Sequence, residues 1–420
     1  MTFFVKKSII FLVVNILFKR AERSTLMDKI IYLDNNATTK MDVRVFEAMK
    51  PYFTEVFGNA SSKFYKTGQI AGKAVSEARE TVAKCLGAKV NEIYFTGSGC
   101  EADNWALKGI AYANKGKGNH IITSQIEHHA ILNACKWLEN NGFEVTYLPV
   151  DSEGRVSPQS VENAITENTI LISIMTVNNE IGTIQPIKEI SEIAKSHKVL
   201  FHTDAVQAAG HMPLDVTDLG VDLLSISGHK FHGPKGVGVL YIRNGVKIDN
   251  LIHGGGQERG KRAATENVAG MVGLAKALEI ATENMEENAQ YCRKLQKKLI
   301  DGIESKIPYS ILNGSRDNRA TNNVNFSFKY VEGEAILMML NMYGIEGSSG
   351  SACASGSLDP SHVLLAIGLP HEIAHGSLRL SVSHETTEEE IDYVLDTLPK
   401  VIQRLRDMSP LYEKVTKGIE

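Results

Sequence analysis

The stretch LLSISGHKFHGPKGVGVLYI, residues 223–242, holds two apolar runs separated by a polar turn rich in glycine. Short apolar runs bounded by turn residues, here 223–227 and 237–242, are typical of buried strands. Lys230 stands in the turn, just beyond the first run. If it is buried there, desolvation lowers the pKa of its amine and makes it a nucleophile able to form a Schiff base. An ordinary surface lysine is the competing interpretation.

The same pattern of short apolar runs extends along the chain from this stretch. Further strands are predicted at residues 92–95, 120–124, 144–149, 169–175 and 199–202, with helical segments such as 102–113, 129–140 and 187–197 between them. This alternation predicts an α/β fold whose large domain has a mostly parallel, seven-stranded sheet covered by helices on both faces.

The second half of the chain predicts a smaller domain. A long helix with little interruption is predicted over residues 267–299, and strands and helices mix after it, at 310–312, 322–328, 335–343, 377–381 and 387–406. We therefore expect an N-terminal segment at 27–40, a large domain at 41–285 and a small α/β domain at 286–420.

The first 26 residues stand outside this pattern. Lys6 and Lys7 precede an apolar run over residues 8–18, which is shorter than the roughly 17 residues that a membrane span needs. Met27 stands just before the predicted strand at 30–33. We interpret residues 1–26 as an upstream extension rather than a targeting leader, with Met27 as the start of the folded chain.

Composition restricts the classes of function. The net charge is −4, which does not favour a protein that binds nucleic acid by electrostatic attraction. Five cysteines at wide spacings, without a C-x-x-C pair, argue against a disulfide framework and favour a reducing cytoplasm. We expect small molecules and other proteins as partners, with no membrane association.

Polar residues cluster at or just after the ends of the predicted strands. They occupy residues 96–100, 127–129, 178–180, 204–207 and 227–230. Ligands of an open parallel sheet bind beyond the carboxyl ends of its strands, so these groups predict one crevice.

The chemistry of those groups indicates pyridoxal phosphate. Asp204 could cap a helix, but it could also hold the proton on a pyridine nitrogen while Lys230 forms a Schiff base. The turn at residues 96–100 leads into a helix expected near Glu101, whose first N–H groups suit a phosphate. Ser227 and His229 could add phosphate contacts. His128 could stack on the ring, with a hydrogen-bonded core histidine as the alternative.

Five motifs in order carry a resemblance to a known family. With DNNATT at 34–39, VNNEIGTIQP at 177–186, HTDAVQ at 202–207, SGHKFHGPKGVG at 227–238 and SSGSACASG at 348–356, the chain resembles the cysteine desulfurases of the NifS/IscS branch of the class V aminotransferases. The resemblance covers residue 27 to beyond Arg379. It implies a homodimeric enzyme of the pyridoxal-phosphate transferase fold type I.

The resemblance also implies a role for each site residue. Lys230 carries the cofactor, Asp204 binds its ring nitrogen, and Gln207 bonds the ring hydroxyl. His128 stacks on the ring and helps to move protons, Asn179 lies near the ring hydroxyl and the substrate carboxylate, and Arg379 grips that carboxylate. The phosphate is held by Gly99, Cys100, Ser227, His229 and, from the second subunit, Thr265.

Two cysteines receive different expectations. Cys100 stands where many relatives have threonine, and a thiol is a poorer donor than a hydroxyl, so backbone amides contribute more there. Cys353 lies among Gly, Ser and Ala, a composition that predicts a mobile loop at 346–357. By the resemblance, Cys353 accepts sulfur from L-cysteine as a persulfide and passes it to an iron–sulfur scaffold or another acceptor. It is also a candidate transient iron–sulfur ligand.

Three alternatives stay open. A selenocysteine lyase or a cysteine-sulfinate desulfinase would share the fold, but neither needs the thiol at 353. A non-catalytic sulfur scaffold would not need Lys230, Asp204, Gln207 and Arg379 together. HEIAH at residues 371–375 fits the zinc pattern H-E-x-x-H, but no third ligand is evident, and we interpret it as a coincidence.

Overall fold

The computed structural model of the chain describes residues 30–349 and 360–417. Its strands are β1 (Ile31–Tyr32), β2 (Ile93–Thr96), β3 (His120–Ser124), β4 (Glu144–Leu148), β5 (Thr169–Ser173), β6 (Leu200–Asp204), β7 (Leu223–Ser227), β8 (Gly238–Ile242), β9 (Ser310–Leu312), β10 (Asn323–Phe328), β11 (Ile345–Glu346) and β12 (Ser377–Ser381).

Its helices are α1 (Val43–Met49), α2 (Pro51–Thr54), α3 (Lys66–Cys85), α4 (Gly99–Ala113), α5 (His129–Glu139), α6 (Pro158–Ala164), α7 (Ile187–Ser196), α8 (Val216–Leu219), α9 (Gln257–Gly260), α10 (Val268–Glu283), α11 (Met285–Lys306), α12 (Gly333–Asn341), α13 (His362–Ala366), α14 (His371–Ala374), α15 (Glu388–Asp407) and α16 (Pro410–Thr416). Within the described residues, no helix has both the length and the apolar composition that a membrane span requires.

A seven-stranded sheet dominates the large part of the molecule. Its strand order is β2-β8-β7-β6-β5-β3-β4, and β8 alone runs antiparallel to its neighbours. The seven predicted strands and the mostly parallel α/β fold are therefore confirmed, with strand ends that differ by no more than two residues. Strands β3, β5, β7 and β8 are buried along their whole length, which explains why their sequences are runs of apolar residues rather than alternating ones.

Helices cover both faces of this sheet. On one face, apolar side chains of α3, α7 and α10 pack against the strands, with Val82, Ile190 and Leu274 fully buried. On the other face, α4 and α5 supply Trp105 and Leu138 to a second cluster. The carboxyl ends of the strands stay uncovered by these two layers, and the site lies there.

The long helix with little interruption predicted over residues 267–299 is present as two helices separated by one residue, Asn284. The first ends before Asn284, whose side chain donates to the carbonyl of Ile280 at 2.7 Å, and the second begins at Met285. An asparagine side chain competes with the backbone for helix hydrogen bonds, and this favours a break at its position. The apolar cluster also changes here, since Leu274 packs on the large sheet and Leu295 in a separate core.

The second core surrounds a three-stranded antiparallel sheet of order β12-β10-β9. Helices α11, α12 and α15 cover it, and Thr387 caps α15 through a reciprocal bond with Glu390. The N-terminal strand belongs to this core as well, because β1 pairs in parallel with β11. The chain then crosses to the large sheet, where Thr39 donates its N–H to the carbonyl of His229 at 2.9 Å. Residues 34–39 therefore bridge the two cores beside the site.

Candidate active site

The five polar strand endings meet at one cavity of about 370 Å³, as predicted from their positions in the sequence. Ten of the predicted site residues line it: Gly99, Cys100, His128, Asn179, Asp204, Gln207, Ser227, His229, Lys230 and Arg379. Other residues without a predicted role also line it, among them Asn36, Ala37, Asp103 and Glu180.

Lys230 ends a 3₁₀ turn, Gly228–Lys230, that directly follows β7. Its Nζ donates to the carbonyl oxygens of Asn36 at 2.5 Å and Ala37 at 2.9 Å. The DNNATT segment thus holds the amine at the cavity through its backbone. Gln207 Nε2 also donates to the Asn36 carbonyl, at 2.9 Å. The carbonyl of Asn36 therefore positions two predicted cofactor-binding side chains, Lys230 and Gln207.

Asp204 is the last residue of β6 and is almost fully buried. Its Oδ1 accepts the N–H of Val206 at 2.9 Å. Burial raises the pKa of this carboxyl to about 6, although the Val206 hydrogen bond and the charge of Lys230 oppose the shift. Burial destabilises the charged form of a carboxyl group, and a cationic partner placed against it stabilises that form.

Beneath Asp204 the sheet carries a hydrogen-bonded polar cluster. The ring of His202 has Ser173 Oγ 2.9 Å from Nδ1 and Ser225 Oγ 2.9 Å from Nε2. Burial lowers the pKa of His202 to about 3, so the ring is neutral. Asp103 of α4 reaches to 3.8 Å from His202 Nε2, and burial together with the charge of Asp204 raises its pKa well above the ordinary range.

The start of α4 forms the end of the cavity predicted to receive phosphate. The helix begins at Gly99, two residues before the predicted start near Glu101, and Ser98 caps it by accepting the N–H of Glu101 at 3.1 Å. The first N–H groups of a helix have no carbonyl partner within it and attract anions. A Cβ at position 99 would lie 2.8 Å from Val206 Cγ2 and 3.1 Å from Ser227 Cβ, so the close approach requires glycine.

Cys100 lines the same end of the cavity. Burial raises the pKa of its thiol, and the carboxyl of Asp103 raises it further. The protonated form is therefore favoured, which argues against a nucleophilic role for Cys100.

His128 caps α5, with its Nδ1 accepting the N–H of Ala130 at 3.1 Å. Burial lowers the pKa of the ring to about 4, and the charge of Lys230 acts in the same direction. The ring is therefore neutral near pH 7. Because Nδ1 accepts a hydrogen bond, the proton of the neutral ring is on Nε2.

Arg379 lies in β12 and is 2% exposed. One terminal nitrogen lies 2.6 Å from Asp34 Oδ1, and the other donates to the Asn179 carbonyl at 2.9 Å. Asp34 has no role in the site predicted from the sequence. The polar motif that follows the first strand, DNNATT, is the signal that could have indicated one.

Thr265, another predicted site residue, is exposed and does not line this cavity in the same chain. Cys353 lies outside the described residues. The HEIAH segment forms the four-residue helix α14, and the described part of the chain contains no group of three histidine, cysteine or carboxylate side chains placed to bind a metal.

Comparison with known proteins identifies the family. The family described as "Aminotransferase class-V" matches residues 31–394. The chain belongs to the class-V aminotransferases. Its curated relatives include "Cysteine desulfurase IscS" of Clostridium botulinum, 62% identical over 94% of this chain and 100% of the relative. The protein of the same name from Methanosarcina thermophila is 59% identical, over 94% of this chain and 97% of its own length.

Solved structures agree with this assignment. A "NifS-like protein" superimposes with a TM-score of 0.84 at 42% identity, covering 89% of this chain and all of its own. "SspA in complex with cysteine" gives a TM-score of 0.75 at 39% identity, over 84% of this chain and 98% of its own. The fold is therefore fold type I of the pyridoxal-phosphate enzymes, as expected.

Class-V aminotransferases and the cysteine desulfurases among them depend on pyridoxal phosphate. The cavity fits that group on three observations. A lysine amine and a buried carboxyl of raised pKa both line it, which matches the aldehyde and the ring nitrogen. A helix start packed closely through Gly99 matches the phosphate.

Proposed function

We propose that the chain is a cysteine desulfurase, which removes sulfur from L-cysteine and leaves L-alanine and a persulfide on Cys353. The observation that carries the proposal is the meeting of Lys230, Asp204 and Arg379 at one cavity. The amine can bond a cofactor aldehyde, and the buried acid can bind the nitrogen of the cofactor ring. The buried guanidinium can bind a substrate carboxylate. The relatives' names supply the substrate class.

Pyridoxal phosphate would be held along the sheet side of the cavity. Lys230 would bond it covalently, Asp204 would face the ring nitrogen, Gln207 and Asn179 would lie towards the ring hydroxyl, and His128 would stack on the ring. The phosphate would be held by Gly99, Cys100, Ser227 and His229, with Thr265 contributed by a second copy of the chain in a homodimer. When bound, the cofactor withdraws electrons from the substrate α-carbon.

Arg379 would orient the substrate. A guanidinium has five N–H donors in a planar arrangement, so it can bind a carboxylate through two parallel hydrogen bonds. The Asp34 carboxylate, 2.6 Å away, fixes the guanidinium plane. Asn179 holds Arg379 from the other side through its carbonyl.

The chain's own groups then move the proton and the sulfur. The Nε2 of neutral His128 carries a proton, so it serves as a donor, and the Lys230 amine is the group that takes the α-proton. The thiolate of Cys353 attacks the substrate sulfur, so that an S–S bond forms and the C–S bond breaks. The electron pair of the C–S bond stays on carbon, which is protonated to give alanine.

Sulfur transfer to an acceptor protein would follow. The acceptor is an iron–sulfur scaffold or another sulfur carrier, and Cys353 could share a cluster with it transiently. The other four cysteines are free thiols in the structure, which supports a reducing, cytoplasmic location.

One experiment tests cofactor, substrate and product together. The purified chain is examined by absorbance, then mixed with L-cysteine and a thiol reductant, and alanine and sulfide are measured. We expect a visible cofactor band and both products in the wild type. Cys353→Ala should keep the band and lose the products. A Cys353→Ala variant that forms alanine at the wild-type rate would contradict the persulfide assignment.

A further inference from the structure

Helix α13 starts nine residues after Cys353 in the sequence, and it packs on the large part of the molecule. Its buried residues Val363 and Leu364 join an apolar cluster with Met175, which lines the cavity, and Ile181, which follows Glu180. His362 Nε2 lies 3.0 Å from the carbonyl oxygen of Glu127. The chain that leaves the Cys353 segment is thus seated directly on the loops that build the site.

A buried hydrogen bond fastens the start of this helix to the cavity. Ser361 Oγ accepts the N–H groups of Val363 at 3.1 Å and Leu364 at 3.4 Å, which caps the helix. The same hydroxyl donates to Glu180 Oε2 at 2.5 Å. Glu180 is 2% exposed and lines the cavity, so its carboxylate depends on protein hydrogen bonds in place of water.

Glu180 is itself held from both cores. The side chain of Asn178 accepts the N–H groups of Glu180 and Ile181, which fixes the loop. The carbonyl of Glu180 accepts the side-chain amides of Asn323 and Asn325, both at 3.0 Å, from β10. The carboxylate that meets Ser361 therefore has a rigid base.

The chain that enters the Cys353 segment is fastened on the other side. Ser348 exchanges two backbone hydrogen bonds with Arg379, at 3.0 and 2.6 Å, and Ser377 Oγ donates to the carbonyl of Ser349 at 2.9 Å. One end of the segment is thus joined to the substrate arginine and the other, through Ser361, to Glu180.

We propose that Glu180 and Ser361 are positioning residues for the sulfur-transfer step, because their hydrogen bond fixes the downstream end of the Cys353 segment against the cavity. The inference rests on the proposed function. It predicts that breaking this bond slows attack by the Cys353 thiolate and leaves cofactor binding and L-cysteine binding in place.

The test uses the full-length holoenzyme in single-turnover experiments. L-cysteine affinity is measured from the absorbance change on binding, and persulfide formation on Cys353 is followed by mass spectrometry of quenched samples. We expect Ser361→Ala and Glu180→Ala each to slow persulfide formation about 10-fold, as the loss of one buried hydrogen bond to a charged group predicts. The L-cysteine affinity should change less than about 2-fold.

Conservative variants distinguish a positioning role of the Ser361–Glu180 hydrogen bond from a general loss of protein stability. Ser361→Thr keeps the hydroxyl, and Glu180→Gln keeps an acceptor oxygen, so both should restore most of the rate. The double variant Ser361→Ala/Glu180→Ala should be no slower than the worse single variant, because both remove the same bond. Thr387→Ala removes a helix cap of the small core away from the cavity and should leave the rate unchanged.

Two outcomes would overturn the inference. A weaker L-cysteine affinity with an unchanged persulfide rate at saturation would mean that Glu180 binds substrate instead. Unchanged rates in both alanine variants would mean that the bond has no positioning role. If Ser361→Ala does not fold, Glu180→Asp, which withdraws the carboxylate by one carbon, must slow the step. A wild-type enzyme that forms no persulfide would instead refute the proposed function itself.

Discussion

The two sides of the cavity are built in different ways. On the sheet side, Asp103, His202, Asp204 and Ser225 lie on β6, β7 and the helix that packs against them. On the substrate side, Asp34 pairs with Arg379 across 345 residues of sequence, and Glu180 pairs with Ser361 across 181. The sheet side is therefore fixed by one folded sheet, whereas the substrate side exists only when two cores and the N-terminal segment have come together.

Because the two sides are built differently, we expect them to have different functions. The sheet side is buried and its polar groups are bonded to neighbouring strands, which suits permanent binding of a cofactor. The substrate side is joined to the ends of the segment that carries Cys353. Changes on the sheet side should therefore affect cofactor retention, and changes on the substrate side should affect L-cysteine and sulfur transfer.

The largest effect is expected on the sheet side, from Lys230→Ala. It removes the group that bonds the cofactor and takes the proton, so turnover should fall by on the order of 10³-fold or more, and the visible band should disappear on dialysis. Absorbance and alanine formation check both. Lys235→Ala, in the exposed part of the same turn, is the control. A dialysed Lys230→Ala protein that kept its band would contradict the assignment of cofactor retention to the sheet side.

The second effect is a pH dependence of stability from the sheet side. The pKa of His202 is about 3 in the folded chain, against 6.5 ordinarily. Between those values His202 binds a proton in the unfolded chain but not in the folded one, so its own contribution to stability falls as the pH is lowered below 6.5. The loss from His202 should be on the order of 3 kcal/mol by pH 4.

Urea unfolding between pH 7 and 4 measures this loss. His202→Gln, which can bond the same two serines without titrating, should give a flatter profile. An equally steep profile in that variant would assign the effect to other histidines.

On the substrate side, Arg379→Lys should raise the KM for L-cysteine about 10- to 100-fold, because an ammonium cannot form the paired hydrogen bonds of a guanidinium. The cofactor band should be unchanged. Asp34→Asn, which keeps an acceptor for Arg379, should raise KM less. Steady-state kinetics check this, and a fall in kcat at constant KM would argue that Arg379 does not grip the substrate.

The smallest effect is expected from Cys100→Thr. A hydroxyl is a better donor than a thiol, so the dissociation constant of the cofactor should decrease about 2- to 10-fold. Equilibrium titration of the cofactor-free protein measures it. Cys100→Val adds the same bulk without the hydroxyl and should bring no gain.

The sequence allowed the groups of the sheet side that face the cofactor to be predicted, but not Asp103 or the buried His202. Asp204, Lys230 and the turn before α4 stand at strand ends, and topology alone brings such positions together. The parts it missed depend on long-range folding. Asn36 and Ala37 bind Lys230 through backbone carbonyls, which no side-chain pattern encodes. The Asp34–Arg379 and Glu180–Ser361 pairs require the packing of two cores, and a single sequence does not reveal that packing.

The anchoring of Ser348 to Arg379 also limits the distance between residue 353 and the anchored chain. Cys353 follows Ser349 by four residues, and four residues of fully extended chain span at most about 14 Å. While the anchor holds, the Cα of Cys353 stays within that radius of the Cα of Ser349. If Cys353 carries the sulfur as proposed, that sulfur would not travel far from this anchor. An acceptor would then have to bring its receiving thiol or metal site close to the cavity, so the length of this tether would limit the shapes of the proteins that can be served.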